Sequence, residues 1–287
     1  MSNPTPLTGA TGPRPARQGG LDGLAVVLLC GGLGTRLREE TEFKPKAMVE
    51  IGGRPIMWHI MKHYRHYGAR RFVLCLGYKG DVIREYFLNY PLYNSDFSVD
   101  FATGDVEPMS NECEEDWKVV LAETGRDTLT GSRIRRALRY IEGDTLLATY
   151  GDGVADIDLD RLLAHHRASG RLATVTAVRP SSRFGELSID NNLVTRFREK
   201  PQVAEGWING GFFVFDKRAF DRVRPDENVP LEEAVLETLA GEGQLAVYKH
   251  HGFWQSMDTY REMTLLNEMW ASGRAPWNIW QPCRLSA

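Results

Sequence analysis

Paired cysteines are missing from this 287-residue chain. Its four cysteines, Cys30, Cys75, Cys113 and Cys283, form no Cys-x-x-Cys motif, so the sequence offers neither a zinc ribbon nor a disulfide framework. Cys30 and Cys75 fall within apolar runs and read as small core residues of a protein kept in a reducing, cytoplasmic compartment. Long hydrophobic runs are missing too. Nothing approaches the roughly 20 residues of a membrane span, and the first residues lack the apolar core of a secretory leader, so no membrane contact is expected. Charge of one sign is absent: 35 Lys and Arg against 38 Asp and Glu give a net charge of −3. That balance provides no basic field for nucleic acid, although a small anion needs only a local basic pocket. Two phosphate-binding signatures are also lacking. No GxxxxGK[ST] string occurs, and the nearest candidate for a GxGxxG dinucleotide turn has Leu37 in place of its third glycine.

A glycine turn of another spacing is present. Residues 24–48 read LAVVLLCGGLGTRLREETEFKPKAM. The first seven, Leu24 to Cys30, are apolar, too few for a membrane and suited to a strand buried on both faces that ends at Leu29 and Cys30. Gly31, Gly32 and Gly34 follow, then Thr35 and Arg36, and shortly afterwards Pro45 and Lys46. Glycines at the end of a buried strand let bare backbone N–H groups approach a ligand, and Arg36 and Lys46 add positive charge, which suits a polyphosphate. The competing reading, a plain tight turn, leaves the basic residues unexplained.

Further along, short apolar strands at 71–76, 118–121, 145–150, 172–178, 207–215 and 245–249 alternate with helical periodicity, as in Met57, Ile60, Met61 and Tyr64. The alternation predicts an α/β fold: a Rossmann-like, mostly parallel sheet flanked by helices, with an inserted antiparallel portion near 183–197. Residues 1–23, rich in Pro, Gly, Thr and Ser, read as a disordered extension. One domain is expected over 24–282, followed by a tail at 283–287. The acidic stretch 90–117 reads as an irregular, solvated excursion. His59 and His63, four apart on a predicted helix, have the spacing of a metal pair but no carboxylate nearby in sequence, so surface histidines are the simpler reading.

Several residues stand at strand ends, where open α/β sheets bind ligands. Gly77 and Tyr78, with Lys79, form the turn after the 71–76 strand. Thr124, Gly131 and Arg133 flank the start of a helix. Gly151 and Asp152 close the 145–150 strand, where Asp152 is either a turn residue or a group projecting into the crevice. Glu199 and Lys200 place a carboxylate beside an ammonium. Asn209 and Gly210 lie in a glycine-bearing strand, and Asn209 can both donate to and accept from sugar hydroxyls. Asp258, just before Thr259 and a helix, is either an N-cap or a ligand-binding carboxylate.

The string from Gly31 to Met48 resembles the signature of the sugar-1-phosphate nucleotidylyltransferases, GGxGTRLxxxTxxxPKxM. The run EETEFKPKAMVEIGGRPIMWHIMKHY is most similar to the glucose-1-phosphate cytidylyltransferases, and the resemblance extends from about Leu24 to Trp280. Cys30, Ala47 and Ser132 replace a common Ala, Pro and Gly of the family. The resemblance implies transfer of CMP from CTP to glucose 1-phosphate, with Mg2+ held by Asp152 and Asp258. It implies a nucleotide site of Leu29, Gly31, Gly32, Gly34, Thr35, Arg36, Lys46, Gly77, Tyr78, Thr124, Gly131, Arg133 and Gly151, with Arg36 and Lys46 catalytic. It assigns Gly185, Glu199, Lys200, Asn209 and Gly210 to the sugar phosphate, and it implies a homo-oligomer. The glycine turn alone leaves UTP or dTTP open as the nucleotide. A non-catalytic sugar-nucleotide-binding subunit is the more distant rival, expected to have lost a metal carboxylate or the lysine after Pro45; both are retained.

Overall fold

A computed structural model describes residues 20–32, 37–109, 115–180 and 206–280, and residues 186–190 and 193–198 by their backbone. Among them, seven strands form one sheet: β1 Ala25–Leu29, β2 Arg71–Leu76, β3 Lys118–Glu123, β4 Thr145–Tyr150, β5 Ala173–Val178, β6 Ile208–Asp216 and β7 Leu245–Lys249. Their spatial order is β7-β5-β6-β4-β1-β2-β3. β1 lies between β2 and β4, parallel to both, with Val27 level with Val73 and Ala148. β6 runs antiparallel to its neighbours β4 and β5, so the sheet is mostly parallel, as the alternation of strands and helices predicts. The 186–190 and 193–198 segments pair with each other as a separate antiparallel ribbon.

The apolar run of β1 is explained by two cores. Val26 and Leu28 point into one cluster, and Ala25, Val27 and Leu29 into the other, so both faces of the strand are covered. Full burial of each such side chain contributes roughly 1.5–3 kcal/mol against the entropy of ordering it. Five helices of eight residues or more flank the sheet: α1 Ile56–His66, α2 Gly80–Leu88, α3 Thr130–Ala137, α4 Leu159–Ser169 and α5 Tyr260–Ala271. α1, α4 and α5 bury residues in the first cluster; α3 and the 232–241 helical segment cover the other face. None of the described helices is long and apolar enough to cross a membrane.

Several local expectations need correction. Leu21, read as part of the extension, is fully buried, and its N–H donates to Tyr67 O at 3.3 Å; an isolated leucine among glycines carries no periodic signal. His59 and His63 are buried in the core, where surface positions were expected. Each Nε2 sits 2.9 Å from a backbone carbonyl oxygen, Ile51 for His59 and Ile157 for His63. Trp277 Nε1 donates to His59 Nδ1 at 3.4 Å, which leaves Nε2 as the protonated nitrogen. Both ring nitrogens of His59 are engaged, and no cluster of three metal-ligating side chains occurs among the described residues. Part of the excursion after Tyr90 is regular: Phe97–Val99 pairs with Val106–Pro108 as a small antiparallel ribbon.

Candidate active site

The site lies at the carboxyl end of β1 and β4. Leaving β1, the chain stays pinned between its neighbours: Cys30 N–H donates to Cys75 O, and Gly151 N–H donates to Leu29 O, both at 3.2 Å. Gly31 is a glycine for a reason the sequence does not display. A Cβ there would strike the guanidinium of Arg133, and a Cβ at Gly77 would strike it from the other side. Arg133 thus lies between the glycine turn and the Gly77–Gly80 turn. It donates to Leu76 O (2.7 Å), Thr124 Oγ1 (2.8 Å), Arg126 O (3.1 Å) and Gly31 O (3.3 Å). Burial holds this guanidinium below the usual arginine range. Thr124 is buried, and its hydroxyl donates to Leu76 O at 2.6 Å. The structure therefore brings Thr124 and Arg133 together, as partners of each other and of backbone carbonyls.

Lys46, Asp152 and Asp258 converge from three separate parts of the chain. Lys46 begins a single 3-10 turn after Pro45, and Ala47 behind it is buried. Asp152 follows β4. The next residues, Gly153–Ala155, pair antiparallel with Trp254–Ser256, and Met257 N–H donates to Asp152 O at 2.8 Å. That short ladder brings Asp258 beside Asp152. Lys46 Nζ donates to Asp152 Oδ2 at 2.6 Å and also to Asp258 Oδ1. Burial works against the charged ammonium, but the two carboxylates outweigh it and raise Lys46 above the ordinary lysine range. The N-cap reading of Asp258 is excluded. The cap is Thr259, whose Oγ1 accepts from Glu262 N–H at 3.3 Å, while the Glu262 carboxylate reaches back to the Asp258 and Thr259 N–H groups.

A cavity of about 580 Å³ opens beside this cluster. Leu29, Gly31, Gly32, Lys46, Arg133, Gly151 and Asp152 line it, all of them positions singled out in the sequence. So do Cys30, Ala47, Tyr150 and the segment from Arg126 to Thr130, which were not. Tyr150 was within reach of sequence reasoning: it continues the alternation of Leu146 and Ala148, which face the same core. Residues 126–129 carry no periodic or motif signal, whereas Thr130 opens a helix whose Gly and hydroxyl residues suit a base or phosphate edge.

Other sequence candidates serve elsewhere. Gly131 lets the start of α3 approach the carbonyls of Val229 and Pro230, and Gly210 lets β6 approach Val178 and Thr176. Gly77 and Tyr78 line a separate cleft with Lys79 and Arg84, and Arg126 borders both this cleft and the main cavity. Lys79 has a left-handed φ of 51°. Asn209 is exposed; its Nδ2 donates to the Tyr150 hydroxyl at 3.3 Å and its Oδ1 accepts from Gly211 N–H at 2.8 Å. Gly34, Thr35, Arg36, Gly185, Glu199 and Lys200 lie outside the described residues.

A glycine turn at the end of a central parallel strand, opening on a cavity with a lysine between two carboxylates, has the parts of a nucleotide-phosphate site. The nucleotidyl transferase family model matches residues 25–261, and the chain belongs to that family. Within it, the chain is 45% identical over 257 residues to a protein of Bacillus subtilis described as a probable glucose-1-phosphate cytidylyltransferase, covering 90% of this chain and all of the relative. It is 46% identical over 259 residues to the glucose-1-phosphate cytidylyltransferase of Salmonella typhi, with the same coverage. Among solved structures it resembles HddC from Yersinia pseudotuberculosis, crystallised with GMP-PN. The TM-score is 0.63 at 22% identity, covering 86% of this chain and 99% of that one, a likeness of fold.

Proposed function

We propose that this protein transfers CMP from CTP to α-D-glucose 1-phosphate, giving CDP-glucose and pyrophosphate in a Mg2+-dependent reaction. The carrying observation is the Lys46 ammonium held jointly by Asp152 and Asp258 at the cavity beside the glycine turn. The 45–46% identical relatives described as cytidylyltransferases favour CTP and glucose 1-phosphate as the substrates.

The acceptor phosphate is largely dianionic near neutral pH, with its second pKa around 6, so its attack needs no general base. An oxygen of that phosphate bonds to the α-phosphorus of CTP as the bond to the bridging β-phosphate oxygen breaks, and pyrophosphate departs with the electron pair. The protein aligns the groups and neutralises charge. Lys46 meets the charge that develops at the α-phosphate. Arg36 and the backbone N–H groups of the glycine turn grip the β- and γ-phosphates. Lys200 holds the incoming phosphate, while Glu199 and Asn209 contact the sugar. Asp152 and Asp258 suit Mg2+, being hard oxygen donors from separate elements that already converge on one cation, Lys46 Nζ. When bound there, the ion would supply further charge neutralisation and alignment of phosphate oxygens.

The same reading places the enzyme in the cytoplasm, where nucleoside triphosphates are found and where the buried free thiols of Cys30 and Cys75 stay reduced. It also makes the protein a homo-oligomer. Support comes from the Phe97–Pro108 ribbon and its surroundings, where Phe97, Val99, Phe101, Val106 and Met109 are all exposed.

Pyrophosphate release with glucose 1-phosphate and Mg2+, compared across CTP, UTP, dTTP, ATP and GTP, tests the assignment. Preference for CTP is the expected result. Preference for UTP or dTTP would keep the chemistry and overturn the base; silence with all five would overturn the reading.

A further inference from the structure

Glu232 is half-buried, and the reaction outlined above gives it no task. It opens the Glu232–Glu237 stretch of π-helix, a rare geometry that concentrates at functional sites. Its two carboxylate oxygens are both engaged, Oε1 by the Tyr150 hydroxyl and Oε2 by Thr130 Oγ1 at 3.2 Å. Tyr150 and Thr130 both line the cavity. The Tyr150 oxygen in turn accepts from Asn209 Nδ2 at 3.3 Å, and Asn209 Oδ1 takes the Gly211 N–H.

Directionality follows from the donors and acceptors available. An ionised carboxylate can only accept, so both hydroxyls must donate to Glu232. A tyrosine hydroxyl is ordinarily protonated at neutral pH, so Tyr150 is the donor in its contact with Glu232. Having donated to Glu232, Tyr150 can offer only a lone pair to Asn209. The Asn209 amide is thereby oriented with nitrogen toward Tyr150 and oxygen toward Gly211. One Nδ2 hydrogen is left over, on an exposed residue beside the cavity.

We propose that Glu232 is a positioning residue for the acceptor sugar: through Tyr150 it orients Asn209, which presents an N–H donor to a hydroxyl oxygen of the hexose phosphate. The inference rests on the reaction proposed above and adds to it how the sugar is discriminated.

The test is steady-state kinetics on the full chain with Glu232→Gln, Tyr150→Phe and Asn209→Ala. All three should raise KM for glucose 1-phosphate about tenfold, the worth of one hydrogen bond, with KM for CTP changed less than about twofold. A series of monodeoxy glucose 1-phosphates adds a readout that packing alone would not move. One deoxy analogue should be penalised about tenfold by the wild type, and the variants should not distinguish it from glucose 1-phosphate. Thermal midpoints identify a variant that merely folds badly; if Glu232→Gln does, Tyr150→Phe, which removes the link between Glu232 and Asn209, carries the comparison. Equal rises in both KM values, or a deoxy penalty that persists in the variants, would overturn the relay. A wild type active with glucose 1-phosphate beside unchanged Glu232→Gln and Tyr150→Phe proteins would overturn the relay and leave the reaction standing; an unchanged Asn209→Ala would overturn the Asn209 contact as well. A wild type inert with glucose 1-phosphate would overturn the reaction reading, and the relay with it.

Discussion

Lys46 stands between two carboxylates that would otherwise face each other. Replacing it with alanine should lower turnover roughly 100- to 1000-fold, the usual cost of losing one transition-state contact of this kind. It should also leave Asp152 and Asp258 as an uncompensated like-charge pair. The Lys46→Ala protein should therefore melt below wild type without Mg2+ and gain more than wild type when Mg2+ is added. Scanning fluorimetry with and without Mg2+ reads this directly; equal gains in the two proteins would separate Lys46 from any Mg2+ taken up by Asp152 and Asp258. Neighbouring Asp258 and Thr259 divide two tasks that the sequence leaves merged. Thr259→Ala removes a helix cap and should cost about 1 kcal/mol of stability. Its turnover should stay close to wild type. Asp258→Asn should show the opposite, with turnover collapsing and the melting temperature little changed. Urea titrations alongside rate measurements would expose any exchange of these roles.

Helix α1 shows how an element can be read correctly and its side chains misplaced. The spacing of Met57, Ile60, Met61 and Tyr64 identifies the helix, but its burial extends around to His59, in contact with the fully buried Trp277 of the C-terminal segment, and to His63, packed against Phe212 of β6. Burial lowers both histidines from 6.5 to about 4. In the unfolded chain they titrate near 6.5, so the unfolded state takes up protons that the native state refuses. Stability is accordingly full above pH 6.5 and falls as pH drops toward 4, by on the order of 3 kcal/mol per ring. Thermal midpoints should be constant from pH 8 to 7 and then decline through pH 5. A flat profile down to pH 4.5 would show that both rings are accessible to water. His63 contributes most clearly, since its Nδ1 is buried without a partner and a proton there would have nothing to bond.

For the molecule as a whole, the sheet is covered on both faces, and the ribbon beyond α2 gathers several exposed apolar side chains over residues 97–109. Phe101 is 95% exposed and Met109 74%. A two-stranded ribbon of this kind is marginal by itself in water. Phe101 lines no part of the cavity, so Phe101→Asp tests assembly separately from catalysis. Sedimentation velocity should show the wild type as an oligomer and the variant shifted toward monomer. A wild type that sediments as a monomer would remove the ribbon as an interface. The core of the sheet was legible from β1 onward because a strand buried on both faces must be continuously apolar, and a glycine turn after it is local chemistry. The ribbon was not, because its residues are neither periodic nor buried.

The central strand, the glycine turn that follows it, the alternation that makes the sheet mostly parallel, and the resemblance that pointed to a nucleotidyl transferase are all legible along the chain. Those features depend on residues a few positions apart, where hydrophobic period and turn chemistry act directly. Which groups meet follows from the packed fold. Lys46 reaches Asp152 across 106 residues and Asp258 across 212, and Asp258 arrives through the register of a three-residue ladder. Gly31 and Gly77 are glycines because Arg133 passes between them, and Asn209 has its orientation from Glu232 by way of Tyr150. Such contacts are set by the packing of distant elements against one another, for which local propensity carries no signal.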